Sequence, residues 1–164
     1  MNAVEISMST MMLSQVLDKS VKQDVPISGL AVDSRKVKAG DLFLACDGQA
    51  CHGLDFAAQA IANGAAAIVW ESSATRSDEG IYSVPVVPMM QLSLRLGEIA
   101  ARFFGNPSQY LPLTGITGTN GKTSVAHYLA QILDRPEQRC GVIGTLGNGF
   151  PEALVSSGLT TPDA

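Results

Sequence analysis

The run Gly115-Ile116-Thr117-Gly118-Thr119-Asn120-Gly121-Lys122-Thr123-Ser124 constrains the fold more than any other part of this 164-residue chain. Before it stands an extended apolar stretch, Leu111, Leu113 and Ile116, and after it Val125, Leu129, Ile132 and Leu133 recur at helical spacing. Strand, glycine turn and helix start in that order form a cradle for a nucleotide phosphate. Glycines let backbone approach the anion, and the free N–H groups of the first helical turn point at it. Lys122 can set a positive charge against the β- and γ-phosphates, and the Thr123 hydroxyl can reach a Mg²⁺ ion. A glycine-rich connection that binds nothing is the alternative, and it leaves the strand and helix context without a reason.

The general phosphate-loop pattern, G-x-x-x-x-G-K-[ST], calls for glycine at position 116, where this chain has isoleucine. What stands here is Gly118-Thr119-Asn120-Gly121-Lys122-Thr123, with a further glycine, Gly115, three residues before it. That variant resembles the ATP loop of the Mur ligases and their relative folylpolyglutamate synthase, which join a carboxylate to an amine through an acyl phosphate. It points away from GTPases and motor ATPases.

Composition sets outer limits. The chain is long enough to bury one core, or one small domain and part of another. Its 46% hydrophobic and 16% charged content suits a folded protein rather than a disordered one. A net charge of −4 and the lack of any Lys/Arg cluster give no reason to expect a nucleic-acid partner. Nothing approaches a membrane span, and the N-terminus lacks the basic start and apolar core of a signal peptide. The three cysteines, Cys46, Cys51 and Cys140, have no metal-type spacing, and their odd number fits a reducing cytoplasm. Cys140 opens an apolar strand and reads as a small buried residue.

The first hundred residues read as a small α/β unit. Met11, Met12, Val16 and Leu17 predict an amphipathic helix from Thr10 to Lys19, with the methionines in the core. Ile27 to Val32 and Leu42 to Ala45 read as strands, joined through a tight turn at Lys38-Ala39-Gly40-Asp41. Phe56, Ala57, Ala60 and Ile61 line a helix that Asn63-Gly64 ends, since both residues tolerate a left-handed cap. Ala66 to Trp70 is a buried strand, Glu71 to Gly80 a polar loop, and Val84 to Val87 with its flanking prolines an edge strand. Leu92, Leu96, Ile99, Ala100 and Phe103 form a helical stripe. Gly105-Asn106-Pro107-Ser108 then stops the helix and starts a linker. Beyond it come the strand, the phosphate loop, a helix to about Leu133, a turn at Arg135-Pro136 and a strand through Ile143. A doubly wound nucleotide domain needs more strands than that. Residues 107–164 therefore read as the beginning of a domain, and residues 1–106 as a domain of their own.

Several separated segments of the first unit extend the resemblance. Ala31-Val32-Asp33-Ser34-Arg35, Ala39 to Ala45, Asp47-Gly48 and His52-Gly53 are similar to the N-terminal UDP-binding domain of the Mur ligases. Leu159 to Ala164 resembles a further segment of the member that adds the third peptide residue. The fold class this implies is α/β: a small N-terminal α/β UDP-substrate domain followed by the start of a P-loop-type parallel-sheet ATP-binding domain.

The resemblance carries roles to particular residues. Val32 and Ser34 fall where the family contacts the nucleotide end of its UDP-sugar, Ser34 offering a hydroxyl and Val32 backbone and an apolar wall. Gln49, Ala50 and Cys51 fall in the loop that closes over the uridine diphosphate. Family members often carry a histidine in this loop; here His52 is displaced toward Gly53, and an ordinary loop is an equal reading for Cys51 and His52. Asp33 and Arg35 pair with each other or cap a turn. Thr160 and Thr161 resemble a pair that touches the muramoyl-peptide portion. Gly118, Thr119, Asn120, Gly121, Lys122, Thr123 and Ser124 form the ATP loop, with Lys122 the catalytic cation and Thr123 a ligand of Mg²⁺.

The implied function is ATP-dependent amide-bond formation in peptidoglycan precursor synthesis. A third residue, taken as meso-diaminopimelate rather than lysine, is added to UDP-N-acetylmuramoyl-L-Ala-D-Glu through an acyl phosphate. The implied cofactors are ATP and Mg²⁺. The implied partners are the UDP-N-acetylmuramoyl-dipeptide and an amino-acid co-substrate read by a C-terminal domain outside this sequence, with no nucleic acid and no membrane. The protein is expected to be a cytoplasmic monomer, and this chain to be an inactive N-terminal portion of it. Two alternatives stay open: another Mur or folylpolyglutamate-type ligase, and a non-catalytic UDP-sugar-binding module. The Asp33-Ser34-Arg35 and Gly40-Asp41 region argues against the folate enzyme, which lacks this N-terminal domain.

Overall fold

A computed structural model describes residues 10–48, 51–73 and 80–156. They fall into two compact units, one running to Leu111 and one from Pro112 onward.

The first unit is built on a parallel sheet of four strands in the order β3-β4-β5-β6: Gly29–Ala31, Asp41–Ala45, Ala67–Ser72 and Val86–Met90. Side chains alternate across its two faces. Leu42 and Leu44 of β4, Ala67 and Val69 of β5, and Val87 and Met89 of β6 enter one core, shared with α1 (Leu13–Leu17) and α3 (Leu92–Phe103). Phe43 and Ala45, with Ile68 and Trp70, enter a second core on the opposite face, shared with α2 (Ala57–Ala62). Every residue of β4 is buried, as a central parallel strand covered on both faces requires. Arg102 of α3 donates to the Val16 carbonyl at 2.8 Å and ties the two helices of the first face together.

Most expected elements form, with shifted ends. Gly64 takes the left-handed conformation (φ 99°) just beyond α2, and a Cβ there would lie 2.9 Å from the Ala39 Cα, so both backbone and space select glycine. Pro88 lies within β6, which is an edge strand and tolerates the lost donor. The expected helix over Thr10 to Lys19 is shorter. Met11–Met12 is instead a two-residue strand, β1, paired antiparallel with Pro26–Ile27, β2, before α1 begins. The Ile27 to Val32 strand is correspondingly split at Ser28 between β2 and β3. Glu71 and Ser72, expected in a loop, continue β5.

In the second unit, α4 (Lys122–Leu133) follows the glycine run. Three short strands, β7 (Val142–Gly144), β8 (Gly147–Phe150) and β9 (Ala153–Val155), pair antiparallel. The strand expected before the glycine run is not formed: Leu111 and Leu113 are 59% and 72% exposed, and no described strand lies beside them to accept their backbone bonds. The apolar stripe of α4 is likewise open, with Val125 51% and Ile132 72% exposed and only Ala130 buried. Cys140 is half-buried rather than buried, its N–H donating to Asp134 Oδ1 at 2.8 Å. Among the described residues no helix is long and apolar enough to cross a membrane.

Candidate functional site

In the first unit, a cavity of about 430 Å³ opens where β3 and β4 end. Clefts at the carboxyl ends of parallel strands are the usual ligand sites of such sheets. Val32, Asp33, Ser34 and Arg35, which follow β3, form one wall, and Cys46, which follows β4, joins them. Phe56 and Gln59 add to the lining, one turn apart at the start of α2. The structure thus brings together three residues read from the sequence, Val32, Ser34 and Cys51. Gln49, Ala50, Thr160 and Thr161 lie outside the described residues.

The polar groups of the cavity are already organised. Ser34 is buried, its hydroxyl donates to Gln59 Oε1 at 2.6 Å, and its carbonyl accepts from Asn63 Nδ2 at 2.8 Å. Its proton is therefore committed to α2, and its lone pairs remain for a ligand. Arg35 and Asp33 do pair: Nη2 lies 2.8 Å from Oδ2, Nε donates to Oδ1 at 2.9 Å, and the Arg35 N–H also reaches Oδ1. Those hydrogen bonds pull the Asp33 carboxyl down to about 2. Asp33 is thus ionised at neutral pH, holding an exposed guanidinium at the cavity wall. Burial, reinforced by the Glu71 charge, pushes the Cys46 thiol up to about 11, so it is an inert wall residue rather than a nucleophile.

His52 does not line the cavity. It is buried, its Nδ1 accepts from the Leu54 N–H at 3.0 Å, and its Nε2 lies 2.8 Å from the Glu71 carbonyl. Those partners select the neutral tautomer with the proton on Nε2. The ring caps the 3₁₀ turn Gly53–Phe56 and packs edge-on against Trp70, so its work is structural. Phe43, Cys46, Phe56 and Gln59 also line the cavity, and the sequence alone does not mark them for it. The one local sign was the spacing of Phe56 and Gln59, which puts both on the same helical face.

In the second unit, the glycine run has the backbone its sequence requires. Gly118 (φ 142°) and Gly121 (φ 75°) both lie on the left-handed side. A Cβ at Gly121 would meet nothing within 4 Å, so glycine is selected there for conformation alone. Gly121 is the N-cap of α4 and no side chain caps the helix, which leaves its first-turn N–H groups as free donors. Lys122 is exposed and its Nζ donates to the Gly118 carbonyl at 2.6 Å, which holds the ammonium over the loop. Thr119, Asn120 and Ser124 are exposed and Thr123 is half-buried on the first turn.

This donor set suits the phosphates of ATP. The Thr123 hydroxyl, on the first turn of α4, is an oxygen of the kind that Mg²⁺ takes alongside phosphate and water oxygens.

Comparison with known proteins covers both units. Residues 26–104 match the Mur ligase family, catalytic domain, and residues 116–164 match the Mur ligase middle domain. The UDP-N-acetylmuramoyl-L-alanyl-D-glutamate–2,6-diaminopimelate ligase of Alkalilimnicola ehrlichii is 46% identical over 160 residues, covering 93% of this chain and 32% of that protein. The protein of the same name from Pseudomonas putida is 47% identical over 156 residues, covering 95% and 31%. A solved structure of a ligase with that name aligns with TM-score 0.68 and 28% identity over 94% of this chain and 31% of its own. A UDP-N-acetylmuramoylalanyl-D-glutamyl-2,6-diaminopimelate–D-alanyl-D-alanyl ligase from Acinetobacter baumannii shares the fold at TM-score 0.57 over 77% of this chain. The chain spans about a third of the length of the curated relatives it matches.

Proposed function

The chain belongs to the Mur ligase family, and from that premise we propose that it forms the UDP-substrate domain and the opening of the ATP domain of a cytoplasmic peptidoglycan-precursor ligase. The reaction is addition of diaminopimelate to UDP-N-acetylmuramoyl-L-Ala-D-Glu. The cavity of the first unit carries this reading: a pocket of mixed lining, Val32, Phe43 and Phe56 beside Asp33, Ser34, Arg35 and Gln59, at the strand ends of the matched domain. The proposed domain boundary lies at Asn106-Pro107.

In this reading Val32 and Ser34 receive the nucleotide end of the substrate, and Gln49, Ala50 and Cys51 serve the same end. Phe56 offers an aromatic face on the cavity wall. Thr160 and Thr161 serve the muramoyl-peptide portion. The loop residues Gly118 to Ser124 bind the ATP phosphates through backbone N–H groups, and Lys122 places its charge where the transferring phosphoryl group spreads negative charge. Thr123 would contribute its hydroxyl to Mg²⁺, which when bound neutralises phosphate charge and orients the transfer. ATP supplies the activation that a carboxylate needs to form an amide at neutral pH. The protein's part is positioning and cationic stabilisation rather than covalent chemistry. The open stripe of α4, Val125 and Ile132, is in this reading the face that the rest of the ATP domain covers.

The test is phosphate release by the full-length protein. It is expected only when ATP, the UDP-muramoyl-dipeptide and diaminopimelate are all present. The 164-residue chain alone is expected to show no substrate-dependent release. Turnover by this chain at an ordinary enzymatic rate, about 1 per second or more, would contradict its being only part of the catalytic machinery.

A further inference from the structure

Beside the cavity, two short antiparallel arms are fastened by Glu71, a residue that does not line it. Residues 46–48 and 51–53 run side by side, with Asp47 bridged antiparallel to His52 and the Gly53 N–H donating to the Cys46 carbonyl at 2.8 Å. Cys46, Cys51 and Gly53 face the cavity. Glu71, in β5, holds both arms. Its Oε2 accepts the Asp47 N–H at 3.0 Å, and its carbonyl accepts the His52 ring N–H at 2.8 Å.

The same carboxylate reaches α3. Glu71 Oε1 accepts the Ser93 hydroxyl at 2.9 Å, and Oε2 lies 3.4 Å from the Ser93 N–H. The N-cap of α3, Gln91, makes no side-chain cap bond, so Glu71 supplies from another element the negative charge and acceptor that this helix start lacks. Charge-assisted bonds to backbone N–H groups are stronger than neutral ones. A single side chain thus joins the cavity-lining arms to the helix that anchors the first core.

We propose that Glu71 is a positioning residue that sets affinity for the uridine diphosphate end of the substrate by fixing Asp47 and His52, and with them the cavity-lining Cys46, Cys51 and Gly53. This rests on reading the cavity as the nucleotide site. Removing the carboxylate leaves the cavity lining chemically intact and takes from the Asp47 arm its tie to β5, so binding must then order an arm held only by its neighbour.

The test uses the 164-residue chain in three forms: unsubstituted, Glu71→Ala and Ser93→Ala. UDP is titrated by amide NMR, and hydrogen exchange is followed at Asp47. Glu71→Ala is expected to weaken UDP binding about tenfold and to speed Asp47 exchange by at least as much. Ser93→Ala keeps the Asp47 bond while losing the hydroxyl link to α3, and is expected to leave both within about twofold. A folded Glu71→Ala chain with unchanged UDP affinity overturns the proposal, as does equal weakening by Ser93→Ala, which would mark a general structural effect. If Glu71→Ala does not fold, the unsubstituted chain still decides: an Asp47 amide exchanging as fast as an unprotected one overturns the latch. A chain that binds no UDP at all overturns the reading of the cavity, and the exchange rates alone then judge the latch.

Discussion

Replacing Lys122 by alanine in the full-length protein is expected to lower kcat for ligation at least about a hundredfold while leaving affinity for the UDP-substrate within about twofold. The ammonium is poised over the Gly118 carbonyl on an exposed glycine loop, and among the described residues no carboxylate pairs with it. Its charge counts most where phosphoryl transfer spreads negative charge, so its loss falls on kcat rather than on binding alone. A hundredfold loss corresponds to about 2.7 kcal/mol, within the range for removing one electrostatic stabiliser. Initial rates at saturating ATP and UDP-substrate measure it. A variant keeping more than about a tenth of the wild-type kcat would remove Lys122 from this role.

Phe43→Ala is expected to destabilise the first unit by about 3–5 kcal/mol, the range for deleting a buried aromatic side chain. Phe43 is 1% exposed, lies on the central strand β4, packs in the second core and touches the cavity wall. Losses of that size approach the whole stability of a small domain. Thermal unfolding followed by circular dichroism should therefore show the transition of the first unit strongly lowered or absent. A shift of only a few degrees would mean that the sheet tolerates a void at its centre.

The sequence-level pattern was legible where a strand or helix is decided by its own neighbours. Leu42-Phe43-Leu44-Ala45 and Ala67-Ile68-Val69-Trp70 are continuous apolar runs, and both became central parallel strands with side chains divided between two cores. The stripe of α3 and the glycine stop of α2 depend on local spacing and one backbone conformation, and both are present in the fold. Met11-Met12 fits a helix or a strand equally well, and only its pairing with Pro26–Ile27 decides for the strand. The stretch Leu111 to Ile116 has strand composition, but a strand exists only with a partner, and none is described beside it.

The candidate site divides in the same way. Gly118, Gly121 and Lys122 carry their meaning in consecutive residues. Val32 and Ser34 were placed through family resemblance. Phe56 and Gln59 reach the cavity only because α2 packs over the end of β3, and Gln59 meets Ser34 across 25 residues of chain. Glu71 gave no sign at all, since a glutamate after a buried strand reads as the start of a polar loop; its importance comes from Asp47, His52 and Ser93 converging on it.

The central claim is that the first unit is a uridine-nucleotide site, and titration of UDP into the 164-residue chain tests it most directly. Weak binding is expected, because the muramoyl-peptide contacts are not engaged by UDP. Amide shifts should cluster at Val32, Ser34, Cys51 and Gln59, the residues that share the cavity, and leave α4 unmoved. A folded spectrum with no shifts at millimolar UDP, where a binding free energy of only about −4 kcal/mol would already show, would contradict the account.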